Sequence, residues 1–114
     1  MKDTPRHFTT QLAVIGSGIA GFAASIFALN RKIAIAQVGN SGALAYTTGY
    51  LDLIGKRNDA VVSDPWQALA KLRESEPKHP LSRVDAGDIQ RAFTEFTDFL
   101  GACGLAYSAP GAGN

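Results

Sequence analysis

Gln11-Leu12-Ala13-Val14-Ile15-Gly16-Ser17-Gly18-Ile19-Ala20-Gly21 is the stretch from which the rest of the chain is read. Gln11 to Ile15 is a short apolar run of the kind that forms a strand buried on both faces, as parallel sheets require. Three glycines follow at once in Gly-x-Gly-x-x-Gly spacing. In a strand–turn–helix unit, Gly16 permits the tight turn, Gly18 lets a pyrophosphate approach the backbone, and Gly21 lets the helix lie close to the strand. Each role depends on a missing side chain. The first turn of a helix offers backbone N–H groups and the positive end of the helix dipole, which together suit a phosphate. From Ile19 to about Asn30 the chain is alanine-rich and carries Phe22, Ile26, Phe27 and Leu29, and Ile33 to Val38 supplies a second apolar strand.

The fold class that follows is α/β: a Rossmann-like, FAD- or NAD(P)-binding βαβ unit over about residues 10–38 with additional helices, expected to be an incomplete domain. Residues 39–60 read as a packed, ligand-facing loop rich in Ser, Thr and Gly but too apolar for a solvated tether, given Leu44, Tyr46, Tyr50, Leu51, Leu53 and Ile54. A helical segment spans residues 64–104. Asp64-Pro65 is a cap-then-proline start, and Pro77 and Pro80 stop that helix. The next begins near Asp85 or Asp88, and Ile89, Ala92, Phe93, Phe96, Leu100 and Cys103 mark one buried stripe ending at Gly104. Tyr107 to Asn114 has the composition of a mid-chain loop, and two strands alone leave sheet edges unpaired. The expectation is therefore an amino-terminal piece of a longer protein.

Eleven basic and ten acidic residues leave a net charge of +1, which argues against nucleic acid as a partner. No carboxylate lies between Asp3 and Asp52, whereas Arg6, Arg31 and Lys32 do, so the first half suits an anionic ligand. The single cysteine, Cys103, cannot form an intrachain disulfide, and its place on the stripe predicts inert packing. His7 and His79 have no metal-ligand spacing, and no metal site is expected. Leu12 to Leu29 is an uncharged run of 18 residues, but glycines in its middle favour strand, turn and helix over a membrane span.

An Asp or Glu about twenty residues beyond the glycines would hold the ribose of a bound dinucleotide. At the end of the second strand stand Gln37, Val38 and Gly39 instead. Gln37 can hydrogen-bond a ribose but brings no charge. Standard NAD binding is weakened, and a mononucleotide such as FMN, or a dinucleotide held differently, fits the residues better. A nicotinamide-dependent oxidoreductase and a non-catalytic assembly module that keeps the fold are the other readings.

Beyond the glycine motif Ala13 to Gly21, the stretch Thr47-Thr48-Gly49-Tyr50-Leu51-Asp52-Leu53-Ile54 and the run His79-Pro80-Leu81-Ser82 resemble the amino terminus of the B subunits of anaerobic glycerol-3-phosphate dehydrogenases, which are flavoproteins. The resemblance implies FMN as cofactor, with FAD the alternative. The site expected on this reading has Gly16, Ser17, Gly18, Ala20 and Gly21 around the phosphate and Thr47, Thr48 and Gly49 toward the flavin, with Gln37 a weaker candidate for ribose contact. The resemblance also implies a catalytic A subunit and an iron–sulfur, membrane-associated C subunit as partners. The reaction implied is oxidation of glycerol 3-phosphate, with electrons passing toward quinones. Such a protein is cytoplasmic, peripheral on the inner face of the membrane through its partners. No catalytic acid, base or nucleophile is named, because a flavin performs the redox step.

Overall fold

Branched apolar residues alternate with alanine at the start of the chain and again after residue 32, and both segments become strands. The computed structural model describes residues 4–40, 42 and 51–108. Two compact units divide it, Met1–Gly49 and Tyr50–Asn114.

In the first unit, β1 (Leu12–Ile15) pairs in parallel with β2 (Ile35–Val38), with Val14 opposite Gln37 and Ile15 opposite Val38. Between them runs α1 (Ile19–Asn30), which ends where the sequence places its end. Because side chains alternate across a strand, Val14 and Gln37 share the face that α1 covers. Val14 is buried beneath it together with Ser25, Ile26 and Ala28 of the helix. The opposite face carries Ala13, Ile15, Ala36 and Val38, and Ile15 is 88% exposed there. Burial of β1 on both faces, as expected from its apolar run, is thus met on one face only. Thr10 Oγ1 and the Gln11 and Leu12 amides all donate to the Ala34 carbonyl, tying the start of β1 to the approach to β2.

Helix α1 closes with two reverse bonds, Lys32 N–H to Leu29 O and Ile33 N–H to Ala28 O, each 2.9 Å. This pattern wants a left-handed residue, usually glycine, just past the helix, and here Lys32 takes φ 58°. A side chain in that region costs about 1–2 kcal/mol, partly offset by the greater chain entropy that glycine loses on folding. Lys32→Gly is expected to stabilise the protein by about 0.5–1 kcal/mol. A higher thermal unfolding midpoint is the expected reading; a lower one contradicts it.

The second unit opens with a hairpin where the sequence reads as loop. Strands β3 (Lys56–Arg57) and β4 (Ala60–Val61) are antiparallel, joined by Asn58 and Asp59 at φ 50° and 63°. Two consecutive left-handed residues make the tight turn whose twist suits a hairpin, and Asn and Asp tolerate that conformation. Helix α2 (Pro65–Ser75) starts as expected, with Asp64 accepting from the Trp66 and Gln67 amides at 3.0 Å. A 3-10 turn (Pro80–Arg83) follows, capped by His79 Nδ1, which accepts from the Leu81 amide. Helix α3 (Ala86–Ala102) is capped by Asp85 and closed by Gly104 at φ 88°.

Leu69, Leu72 and Ile89 form the core of this unit, with Leu53, Ile54, Leu81, Ala86 and Phe93 packed against it. Leu53 and Ile54, expected in a ligand-facing loop, therefore serve the helical core, and the His79–Ser82 run serves as its 3-10 corner. Of the α3 stripe, Ile89, Phe96 and Leu100 are buried, but Cys103 is exposed. Packing predicted for Cys103 does not occur because the helix ends at Ala102 and Cys103 sits at its cap, where the chain turns away.

Candidate functional site

The three motif glycines do three different things. Gly16 has φ +122°, a conformation open to glycine and strained for other residues, and its N–H donates to the Val38 carbonyl at 2.7 Å. The turn is thereby clamped to the end of β2. Gly18 is the N-cap of α1 with φ −73° and ψ 175°, extended backbone that any residue adopts. As a glycine it contributes no side-chain cap to α1, and no acidic residue lies in the first turn of the helix. Every other helix among the described residues is capped by a side chain, from Asp64, His79 or Asp85. Among the described residues, α1 is the helix whose N-cap residue supplies no side-chain bond to the first-turn amides.

Gly21 faces back toward the turn. A Cβ there would land on the Gly16 carbonyl oxygen, 3.1 Å from the Gly16 carbonyl carbon and 3.4 Å from Gln37 Nε2. Only a missing side chain lets helix and turn approach this closely, which is the third role read from the spacing.

Gln37 is brought to the turn, as the sequence suggests, but its amide is directed inward. Its Nε2 donates to the Gly16 carbonyl at 2.9 Å and its Oε1 accepts from Ser25 Oγ at 3.0 Å. Ser25 is 4% exposed, the buried polar residue of an otherwise apolar helix face. Ser25 and Gly39 are the two residues of the site that sequence reasoning misses. A hydroxyl at the buried position of an alanine-rich helix is the available signal for the first. For Gly39 there is none, since its constraint is a contact across the fold: a Cβ there would lie 2.5 Å from Ser17 Cβ and 2.8 Å from Ser17 N.

Gly39→Ala is therefore expected to destabilise the first unit by about 1 kcal/mol, because Ser17 must move to admit the methyl group. Ser17→Gly removes two of the three nearest atoms, so the double variant should recover most of the loss. Equal losses in Gly39→Ala with and without Ser17→Gly, measured by denaturant unfolding, would show that the contact is not the cause.

Ser17, Gly18 and Gly21 are half-buried around the turn and Ala20 is exposed on the first turn of α1. Thr47, Thr48 and Gly49 lie outside the described residues. Among the described residues, no group of three or more His, Cys, Asp or Glu could hold a metal ion, and no helix is long and apolar enough to cross a membrane.

Backbone donors at a helix start whose N-cap is glycine, behind a glycine turn pinned to the neighbouring strand, define a nucleotide-cofactor-binding βαβ protein. The residues fit a phosphate-bearing group: Gly21 and Gly39 stand where a Cβ would collide with Gly16 and Ser17 of the turn, and no carboxylate occurs among residues 4–51 to repel it. The chain belongs to the FAD binding domain family, which matches residues 11–113. It is similar to the B subunits of anaerobic glycerol-3-phosphate dehydrogenases. The one from Vibrio cholerae serotype O1 (strain El Tor Inaba N16961) is 36% identical over 88 residues, 75% of this chain and 20% of that protein. The one from Vibrio vulnificus (strain YJ016) is 32% identical over 97 residues, 82% of this chain and 22% of that protein. The one from Yersinia pestis bv. Antiqua (strain Antiqua) is 35% identical over 95 residues, 81% of this chain and 22% of that protein. The matches thus span about a fifth of these relatives' length. No solved structure gives a significant match.

Proposed function

We propose that the chain is the flavin-phosphate-holding part of a dehydrogenase subunit that takes part in oxidising glycerol 3-phosphate to dihydroxyacetone phosphate. The observation that carries this reading is the N-terminus of α1, where the N-cap residue is Gly18 and supplies no side-chain cap, directly behind the positive-φ turn at Gly16. Gly16, Ser17, Gly18, Ala20 and Gly21 surround the phosphate, and Thr47, Thr48 and Gly49 lie toward the flavin. A bound flavin supplies the two-electron acceptor. The protein's own residues bind and orient it: backbone N–H groups meet the phosphate, and the Gly16 N–H bond to Val38 holds the turn still.

In the reaction, the C2 carbinol of glycerol 3-phosphate loses two electrons and two protons to become a ketone, and the electrons continue to quinone. The names of the relatives support partners in a multi-subunit complex. On this reading they are a catalytic A subunit and an iron–sulfur C subunit that brings the assembly to the inner face of the membrane.

FMN is the preferred flavin, because β2 ends without the carboxylate that holds a ribose and Gln37 turns its amide inward. FAD is the second reading, favoured by the family to which the chain belongs. Denaturing the purified protein and chromatographing the released flavin decides between them. Reduction of the bound flavin by glycerol 3-phosphate in the assembled complex supports the substrate. A colourless preparation that binds NADH would overturn the proposal in favour of a nicotinamide enzyme.

A further inference from the structure

At the position after the glycine turn where a dinucleotide-binding unit carries a ribose carboxylate, this chain has an amide that touches its own fold at both ends. We infer that Gln37 is a positioning residue that, anchored by Ser25, fixes the Gly16 carbonyl and so sets the direction of the turn's phosphate-binding N–H groups. This rests on the flavin-phosphate reading above.

Three observations support it. The amide is used in complementary fashion, its N–H donor on Gly16 O at 2.9 Å and its oxygen taking the Ser25 hydroxyl at 3.0 Å, so the group at position 37 must present a donor to the carbonyl, and the amide satisfies both partners. Ser25 is buried, so the anchor is held by the packing of α1. Gly16 is the positive-φ residue of the turn, its amide held by Val38 on one side and its carbonyl by Gln37 on the other. The Gly16 carbonyl and the Ser17 N–H belong to one planar peptide, so rotation of that plane would move both, and the Gln37 bond to the carbonyl opposes it.

Gln37→Glu separates this role from a direct ribose contact. The carboxylate still accepts from Ser25 but has no proton for Gly16 O, and two oxygens would face each other. Titration of the flavin-free protein with FMN and with FAD, followed by flavin fluorescence, is expected to show both affinities about tenfold weaker at neutral pH, since one hydrogen bond is lost and one carbonyl repelled. The loss should shrink as pH falls, because a protonated carboxyl regains the donor. Its placement against a carbonyl raises its pKa above the usual value of about 4.3. FAD serves as the pH reference, its pyrophosphate being ionised throughout. A selective gain in FAD affinity would show a ribose contact instead and overturn the inference, as would unchanged affinity for both.

A flavin-independent arm uses amide hydrogen exchange in the flavin-free protein. Gln37→Met should speed exchange at Gly16 and Phe22 by about tenfold or more, leaving Glu76 at the end of α2 unchanged. If Gln37→Met does not fold, Ser25→Ala is read in its place with the same expectation at a smaller amplitude. Unaltered exchange at Gly16 overturns the inference. A wild-type protein that binds no flavin overturns the proposed function, while the exchange arm still decides whether Gln37 positions the turn.

Discussion

Gly18→Val is expected to yield a folded protein that purifies without flavin. The backbone at Gly18 is extended, with φ −73° and ψ 175°, so valine can adopt it, and no side-chain cap is lost because glycine makes none. What changes is the space in front of the α1 N-terminus, where an isopropyl group would displace the phosphate from the first-turn amides. Hydrogen bonds to a charged group contribute about 1.5–3 kcal/mol each, so losing two weakens binding by about 100-fold or more. The ratio of flavin absorbance to protein absorbance, with far-ultraviolet circular dichroism as the folding control, measures this. Full flavin content in the variant would place the phosphate elsewhere.

Gly21→Ala should act on the fold itself. Its Cβ falls on the Gly16 carbonyl oxygen, a backbone atom that cannot rotate away as a flexible side chain would. The expected cost is about 1–3 kcal/mol, and each kcal/mol lowers the unfolding midpoint of a small domain by about 4–8 °C. Flavin affinity should fall too, since Gly16 must shift and its bonds to Val38 and Gln37 with it. Gly101→Ala is the internal control: a Cβ there has nothing within 4 Å, and alanine is the better helix residue by about 0.8–1 kcal/mol. The same substitution should thus destabilise at one site and stabilise at the other. Equal effects at both would mean that the Gly21 contact does not constrain the turn.

Local signals in this chain translate into structure where one physical cause dominates. Asp64-Pro65 starts α2 because a carboxylate satisfies first-turn amides and proline lacks the N–H that would be orphaned there. Gly104 closes α3 because a positive φ is required just beyond it. The βαβ unit is legible for the same reason, its strands and helix meeting the expected bounds to within two residues. The Rossmann-like class and the flavoprotein resemblance agree with the FAD binding domain family. The hairpin is not legible, since Lys56 and Arg57 show no apolar alternation and the information sits in Asn58-Asp59 alone.

Within the site, the roles of the glycines follow from spacing along the chain, but the roles of Gln37 and Gly39 are set by contacts across the fold. Gln37 reaches a carbonyl 21 residues away, and Gly39 lies against Ser17. Neither partner can be read from the neighbouring sequence. Cys103 shows the converse limit: a helical stripe can be extended on paper past the point where the helix stops.

Whether a flavin phosphate sits at the start of α1 is decided by adding flavin to the isotopically labelled, flavin-free protein and following its backbone amide resonances. The amides of Ser17 to Gly21 are expected to move first and furthest, while those of the β3–β4 hairpin and α2 stay in place. Saturable flavin binding that leaves the Ser17–Gly21 amides unmoved would contradict a phosphate at that position.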